Sequence, residues 1–133
     1  MNCAKSSAAR TPTRPVCTLE DPAGEIRGFC MFREGTQDLA AAQAMILFLD
    51  EATYDTPFAD EVFDHFSREA FVRKRLNKMV AHCATYEEAL RRFLVRRGFV
   101  SDGVQRDAFF GGGRYHGIEN LSLFRRDFMG DNA

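Results

Sequence analysis

Few residues in this 133-residue chain have the chemistry to carry a reaction, and they are scattered. Asp50 and Glu51 follow an apolar run and could accept a proton, or could be solvated turn carboxylates. His82 titrates in the range useful to a general acid or base, though a lone histidine also serves structure. Tyr86 could donate a proton or pack in the core. Tyr115 and His116 follow a triple glycine and read as substrate-side groups or as turn filler. Cys3, Cys17, Cys30 and Cys83 form no C-x-x-C pair, and the three histidines have no ligand spacing, so no metal site is expected.

The bulk composition bounds the class. Apolar residues make up 45% of the chain, which excludes a mainly disordered protein. A net charge of −1 gives no global attraction to nucleic acid or to an anionic membrane. The local basic groups Arg73, Lys74, Arg75, Arg91, Arg92, Arg96 and Arg97 could bind phosphate or RNA. They read better as a solvated helix face paired with Glu87 and Glu88. No apolar run is long enough to span a bilayer, and the first residues lack an apolar signal core, so a cytoplasmic location is expected. The division expected is a flexible arm over residues 1–15 and one domain over 16–133.

The elements that must position these groups follow from pattern. Val16–Glu20 and Ile26–Arg33 read as a hairpin around the turn Asp21-Pro22-Ala23-Gly24-Glu25. The run from Ala40 to Asp50 is read as a buried strand from about Gln43. Phe58–Phe71 has helical apolar spacing after Pro57, and Arg75–Cys83 alternates as a strand. Thr85 with Glu88 reads as a capping box that opens a helix ended by Gly98. Two strands, Phe99–Phe110 and Tyr115–Phe124, form a last hairpin. The order describes a mixed α/β (α+β) sheet protein.

The stretch Thr85–Phe128 resembles the C-terminal end of the GNAT superfamily of acyl-CoA N-acyltransferases. Arg96-Arg97-Gly98-Phe99 and Gly113-Arg114-Tyr115-His116-Gly117 fill two of that family's motif positions, and the branch that acetylates N-terminal alanines of ribosomal proteins looks closest. The resemblance implies a mostly antiparallel sheet flanked by two main helices, without the family's first strand and first two helices. It implies transfer of an acyl group from acetyl-CoA or another acyl-CoA to an amine of a small molecule or a protein N-terminus. In that frame Leu49, Thr56, Phe58, Ala59, Asp60 and Glu87 are the residues placed to contact the acyl-CoA. Asp50 or Glu51 would be the base, and His82 or Tyr86 the acid. The motif departs from the family where Tyr54 and Pro57 stand in the pyrophosphate loop, and where Leu90 and Leu94 stand at the usual acid positions. The alternative is a degenerate GNAT-like domain without acyl-CoA binding that serves as a binding or assembly partner. A shortened N-terminus leaves apolar surface, so a homodimer or hetero-complex is expected.

Overall fold

The structure is a computed structural model that describes residues 2–4, 16–34 and 41–130. The elements are β1 (Asn2–Ala4), β2 (Val16–Glu20), β3 (Ile26–Glu34) and β4 (Ala41–Phe48). A 3-10 helix (Glu51–Asp55) leads to α1 (Pro57–Arg68), which runs into a π-helical turn (Glu69–Arg73). Then come β5 (Lys78–Ala84), α2 (Glu88–Arg96), β6 (Val100–Gly111), β7 (Arg114–Phe124) and a short α3 (Arg125–Met129). The strands form one mixed sheet in the order β1-β2-β3-β4-β5-β7-β6. Every neighbouring pair is antiparallel except β4 with β5.

Local chemistry explains most of these bounds. In the β2–β3 turn, Asp21 Oδ1 accepts from Ala23 N at 2.9 Å and from Glu25 N at 3.0 Å, and Gly24 supplies φ 86°. α1 starts where Pro57 fits the first helical position and Thr56 Oγ1 accepts from Ala59 N at 3.3 Å. α2 ends at Gly98, whose φ of 102° is open to glycine at little cost.

Several expectations are corrected. Asn2–Ala4, expected inside a flexible arm, pair antiparallel with β2 through Asn2↔Glu20 and Ala4↔Thr18. The segment is too short to show alternation, and the rest of 1–15 lies outside the described residues. β4 begins at Ala41 because pairing with β3, from Glu34↔Ala42 onward, outweighs the helix preference of its alanines. β5 begins at Lys78, not Arg75. Arg75 takes φ 54° and Leu76 N bonds Ala70 O at 3.0 Å, so these residues terminate the preceding helix. The Thr85 capping box does not form: Thr85 N donates to Gly117 O, while Glu87 Oε1 accepts from Ala84 N at 3.2 Å.

α1 and α2 cover the same face of the sheet. Phe63 lies 5.9 Å from Phe93 and 5.9 Å from Phe99, and Phe32 stacks on Phe66 at 4.0 Å. The sheet gives this core Leu19, Cys30, Ile46, Met79, Leu121 and Leu123, all buried. Alternation puts Phe29, Met45, Leu47 and His82 on the opposite face, which no helix covers among the described residues. Phe29, Met45 and Leu47 are 37%, 47% and 44% exposed there. At the outer edge, β6 is irregular. Its register with β7 shifts between Ser101 and Gly103 and again between Gln105 and Phe109, and Asp107 has φ 48°.

Gly28 is fixed by close approach. A Cβ there would lie 2.1 Å from Leu47 O on β4. Gly28→Ala is expected to cost about 1–3 kcal/mol through forced separation of β3 and β4. A urea titration followed by circular dichroism would show the lowered midpoint.

Candidate active site

β4 and β5 run parallel through Ala41↔Lys78, Ala42↔Met79 and Gln43↔Val80. Beyond that point the ladder ends, and a cavity of about 290 Å³ opens between the strands. Its walls come from both faces of the sheet. Met45 and Leu47 point to the open side, while Phe63, Leu90 and Leu94 line it from the helix side. His82 and Glu87 are its titratable residues.

Main-chain groups alternate along a strand, and Leu49 N donates to Arg27 O at 2.9 Å. The polar groups of Phe48 and Ile46 therefore turn away from β3 and towards the gap. Phe48 N is capped by the Tyr54 hydroxyl at 3.3 Å. Tyr54 is buried, with its ring 5.0 Å from Phe48 and 5.6 Å from Phe93, and burial pushes its phenol above the ordinary range. Tyr54 thus holds the 3-10 helix against the end of β4.

The loop entering α1 satisfies itself. Thr56 accepts from Ala59 N and Asp60 N, Pro57 has no N–H, and Asp50 Oδ1 accepts from Ala52 N at 3.0 Å. Arg96 on α2 reaches across, donating to Tyr54 O at 2.9 Å and pairing with Asp60 at 3.3 Å. Arg97 pairs with Asp60 and Asp64, Arg92 lies 3.9 Å from Asp55, and Arg91 bonds Glu119 at 2.7 Å. The arginines of α2 therefore pair with α1, its loop and β7, not with Glu87 and Glu88. These partners are distant in sequence.

The structure brings only part of the expected site together. His82 and Glu87 both line the cleft. Asp50, Thr56 and Phe58 line a separate groove with Asp21 and Arg27, and Glu51 is exposed beside it. Ala59 is buried in the core and Asp60 is taken by Arg96. Tyr86 is 58% exposed and lies edge-on to His116 at 4.8 Å, with Phe109 completing the group. His116 Nε2 is 2.9 Å from Gly111 O. Tyr115 packs instead against Phe110, at 5.1 Å. Sequence reasoning missed Tyr54 and Arg96 as organisers of the loop, and Asn120 beside His82.

Two buried groups, Cys83 and its register partner Glu119, sit on the helix side of β5 and β7. Cys83 Sγ lies 3.4 Å from Glu87 O, and burial, reinforced by the Glu87 charge, pushes its thiol up to about 11. Glu119 is held below the ordinary carboxyl range by the hydrogen bond from Arg91, helped by Ser101. Among the described residues, no group of three or more His, Cys, Asp or Glu could hold a metal ion. No described helix is long and apolar enough to cross a membrane.

The strand order, the single parallel pair that parts at its centre and the two helices on one face define the GNAT fold. No family model and no curated protein matches the sequence. Solved structures match its fold. The spermidine/spermine N-acetyltransferase SpeG from Vibrio cholerae, in complex with manganese ions, superimposes with a TM-score of 0.79 at 18% identity, over 94% of this chain and 73% of that one. A glycine variant of the same enzyme gives 0.81 at 18% identity over 94% and 72%. A chimera of it with hSSAT gives 0.78 at 19% identity over 92% and 73%. At such identities the likeness establishes the fold. The likeness to the ribosomal-protein branch rests on sequence motifs alone.

The Arg91–Glu119 bond sets a pH dependence. A carboxyl lowered in the folded state stabilises it above the unfolded value, about 4.3 for a glutamate, and the gain is lost as pH falls through the folded value. Glu119→Gln is expected to cost about 1.5 kcal/mol at pH 7, the low end for a bond between charged groups because Arg91 is half exposed. The gap between variant and parent should narrow below about pH 4 in thermal melts.

Proposed function

We propose that this chain is a GNAT-type N-acyltransferase acting on an amine, with an acyl thioester seated in the β4–β5 cleft. The observation that carries this reading is the cleft itself, which passes through the sheet and joins an apolar helix side to an open side bearing His82. An acyl donor and an amine acceptor can then approach from opposite faces. The solved spermidine N-acetyltransferases of the same fold support an amine as acceptor.

The residues fit one end of an acyl-CoA and not the other. The cleft walls Leu90, Leu94, Met45 and Leu47 suit an acyl-pantetheine arm. The loop does not suit a pyrophosphate in the family's manner, since Thr56 occupies the N–H groups of Ala59 and Asp60, and Asp60 adds negative charge. When bound, the donor supplies an activated acyl carbon. His82, exposed at the cleft, is placed to take a proton from the amine nitrogen. The Ile46 N–H, turned into the gap, is placed to donate to a carbonyl oxygen there. Leu49, whose N–H bonds Arg27 O, is not.

The self-capped loop also favours a second reading, a binding domain that keeps the cleft but performs no transfer. Turnover separates the two. Incubating the protein with acetyl-CoA and a panel of primary amines should release free thiol and acetylated amine, and His82→Ala should lower kcat by roughly 10²-fold or more without loss of fold. Donor binding without product from any amine would leave the second reading. Calorimetry tests the loop separately. Acetyl-CoA and S-acetyl-pantetheine should bind within about tenfold of one another, a difference of about 1.4 kcal/mol. A far stronger preference for acetyl-CoA would show that the loop does hold the pyrophosphate.

A further inference from the structure

The open face of the sheet carries a second hollow. His82 and Ala84 on β5 are the register partners of Asn120 and Ile118 on β7, and alternation puts His116 on that same face. His82 stands at the cleft. His116 stands at the other end of the row, beside a groove of about 580 Å³ that is also lined by Thr85, Tyr86, Gly111, Gly112 and Arg114. The pair Ala84 and Ile118 lies between the two. Four residues of β7 separate His116 from Asn120, the partner of His82, or roughly 13 Å at about 3.3 Å per residue.

The groove has a definite polarity. Arg114 is the only charged residue lining it, and it makes no ion pair, hydrogen bond or ring contact among the described residues. The arginines of α2, by contrast, each meet a carboxylate. His116 Nε2 lies 2.9 Å from Gly111 O. A carbonyl oxygen only accepts, so Nε2 carries the proton and Nδ1 keeps its lone pair in the neutral ring. Thr85 N donates to Gly117 O at 3.0 Å, which ties the turn bearing Tyr86 to β7, and Tyr86 lies edge-on to His116 at 4.8 Å. At Gly112 a side chain would meet nothing within 4 Å, so a ligand has free entry.

The groove thus offers a cationic fork of N–H donors and one imidazole acceptor. A carboxylate beside an amide N–H answers both, and that pair is the last residue of a peptide. An ammonium answers neither, since it would face Arg114. The other end of the same molecule must bring a primary amine to His82. An extended peptide spans about 3.3–3.6 Å per residue, so roughly 13 Å calls for about four residues. A single amino acid is too short.

Resting on the transferase reading, we propose that the acceptor is a short peptide. Its C-terminal carboxylate is held by Arg114 and its last amide N–H by His116 Nδ1, while its N-terminal amine is carried over Ala84 and Ile118 to His82. Arg114 is a specificity residue that selects the acceptor by charge and, through its distance from the cleft, by length.

The test needs no acyl donor. The full chain is titrated with tetra-alanine, with its C-terminal amide, with spermidine and with inorganic phosphate, while NMR follows the His116 and His82 rings. Tetra-alanine should shift both rings and saturate them together. The C-terminal amide should bind roughly tenfold or more weakly. Arg114→Gln should weaken tetra-alanine by a similar factor and leave the amide unchanged, which separates recognition from folding. Equal affinity for acid and amide would overturn the proposal, as would unchanged tetra-alanine binding in Arg114→Gln. So would tighter binding of spermidine at the same signals, phosphate binding as tight as that of tetra-alanine, or no saturable shift. Arg114-dependent peptide binding without acetylated peptide on adding acetyl-CoA would keep the site and remove the transferase reading. Acetyl transfer to n-propylamine, with tetra-alanine neither bound nor acetylated, would do the reverse.

Discussion

The architecture depends on one short parallel contact. β4 and β5 share only three paired positions, Ala41↔Lys78, Ala42↔Met79 and Gln43↔Val80. A parallel pair needs a crossover, and α1 with its π-helical turn supplies it on one face. α2 returns on that same face to reach β6. Because the ladder ends so early, the strands fan apart and leave a gap that neither sheet hydrogen bonds nor a single side chain can close. Phenylalanines from both helices fill the wedge on the covered side, which is why Phe63 and Phe93 are among the most buried side chains. What stays open is the cavity with His82 at its mouth.

A second constraint decides how the α1 loop is used. The positive end of a helix usually draws an anion, and here the protein provides its own. Asp60 stands in the first turn, Thr56 caps the N–H groups, and Arg96 locks the loop through Tyr54 O and Asp60. Tyr54 works from beneath, with its hydroxyl on Phe48 N. The end of β4, the 3-10 helix and α2 are thus tied into one unit, so the shape of the cleft is set by side chains that never line it.

Much of this was legible where the deciding interactions are local. The Asp21–Glu25 turn, the Pro57 start of α1 and the Gly98 stop of α2 are decided by neighbours within a few residues, and each stands where its chemistry puts it. The last hairpin follows from two alternating runs around the glycines. Reading failed where partners are remote. Thr85 and Glu88 have the spacing of a capping box, but Gly117 O takes the Thr85 N–H from across the sheet. The α2 arginines face carboxylates that lie from 28 to 37 positions away, as Glu119 and Asp55 do, and no local pattern announces such pairs. The site was legible in part for the same reason. His82 and Glu87 could be placed by element, whereas the meeting of His82 with Asn120 depends on strand register. Asp102 reaches Ser122 through a bulge that no periodicity marks.

The irregular outer strand has a consequence for life at high concentration. β6 spans 12 residues at the rim of the sheet, and a flat rim of that length would act as a template on which other chains could add strand by strand. Two register shifts, the left-handed Asp107 and the charges of Asp102, Arg106 and Asp107 break its row of donors and acceptors into short lengths. A growing fibril would find no run of regular backbone long enough to copy. The bend that carries Asp102 towards Ser122 thereby also protects the protein from polymerising along its own edge.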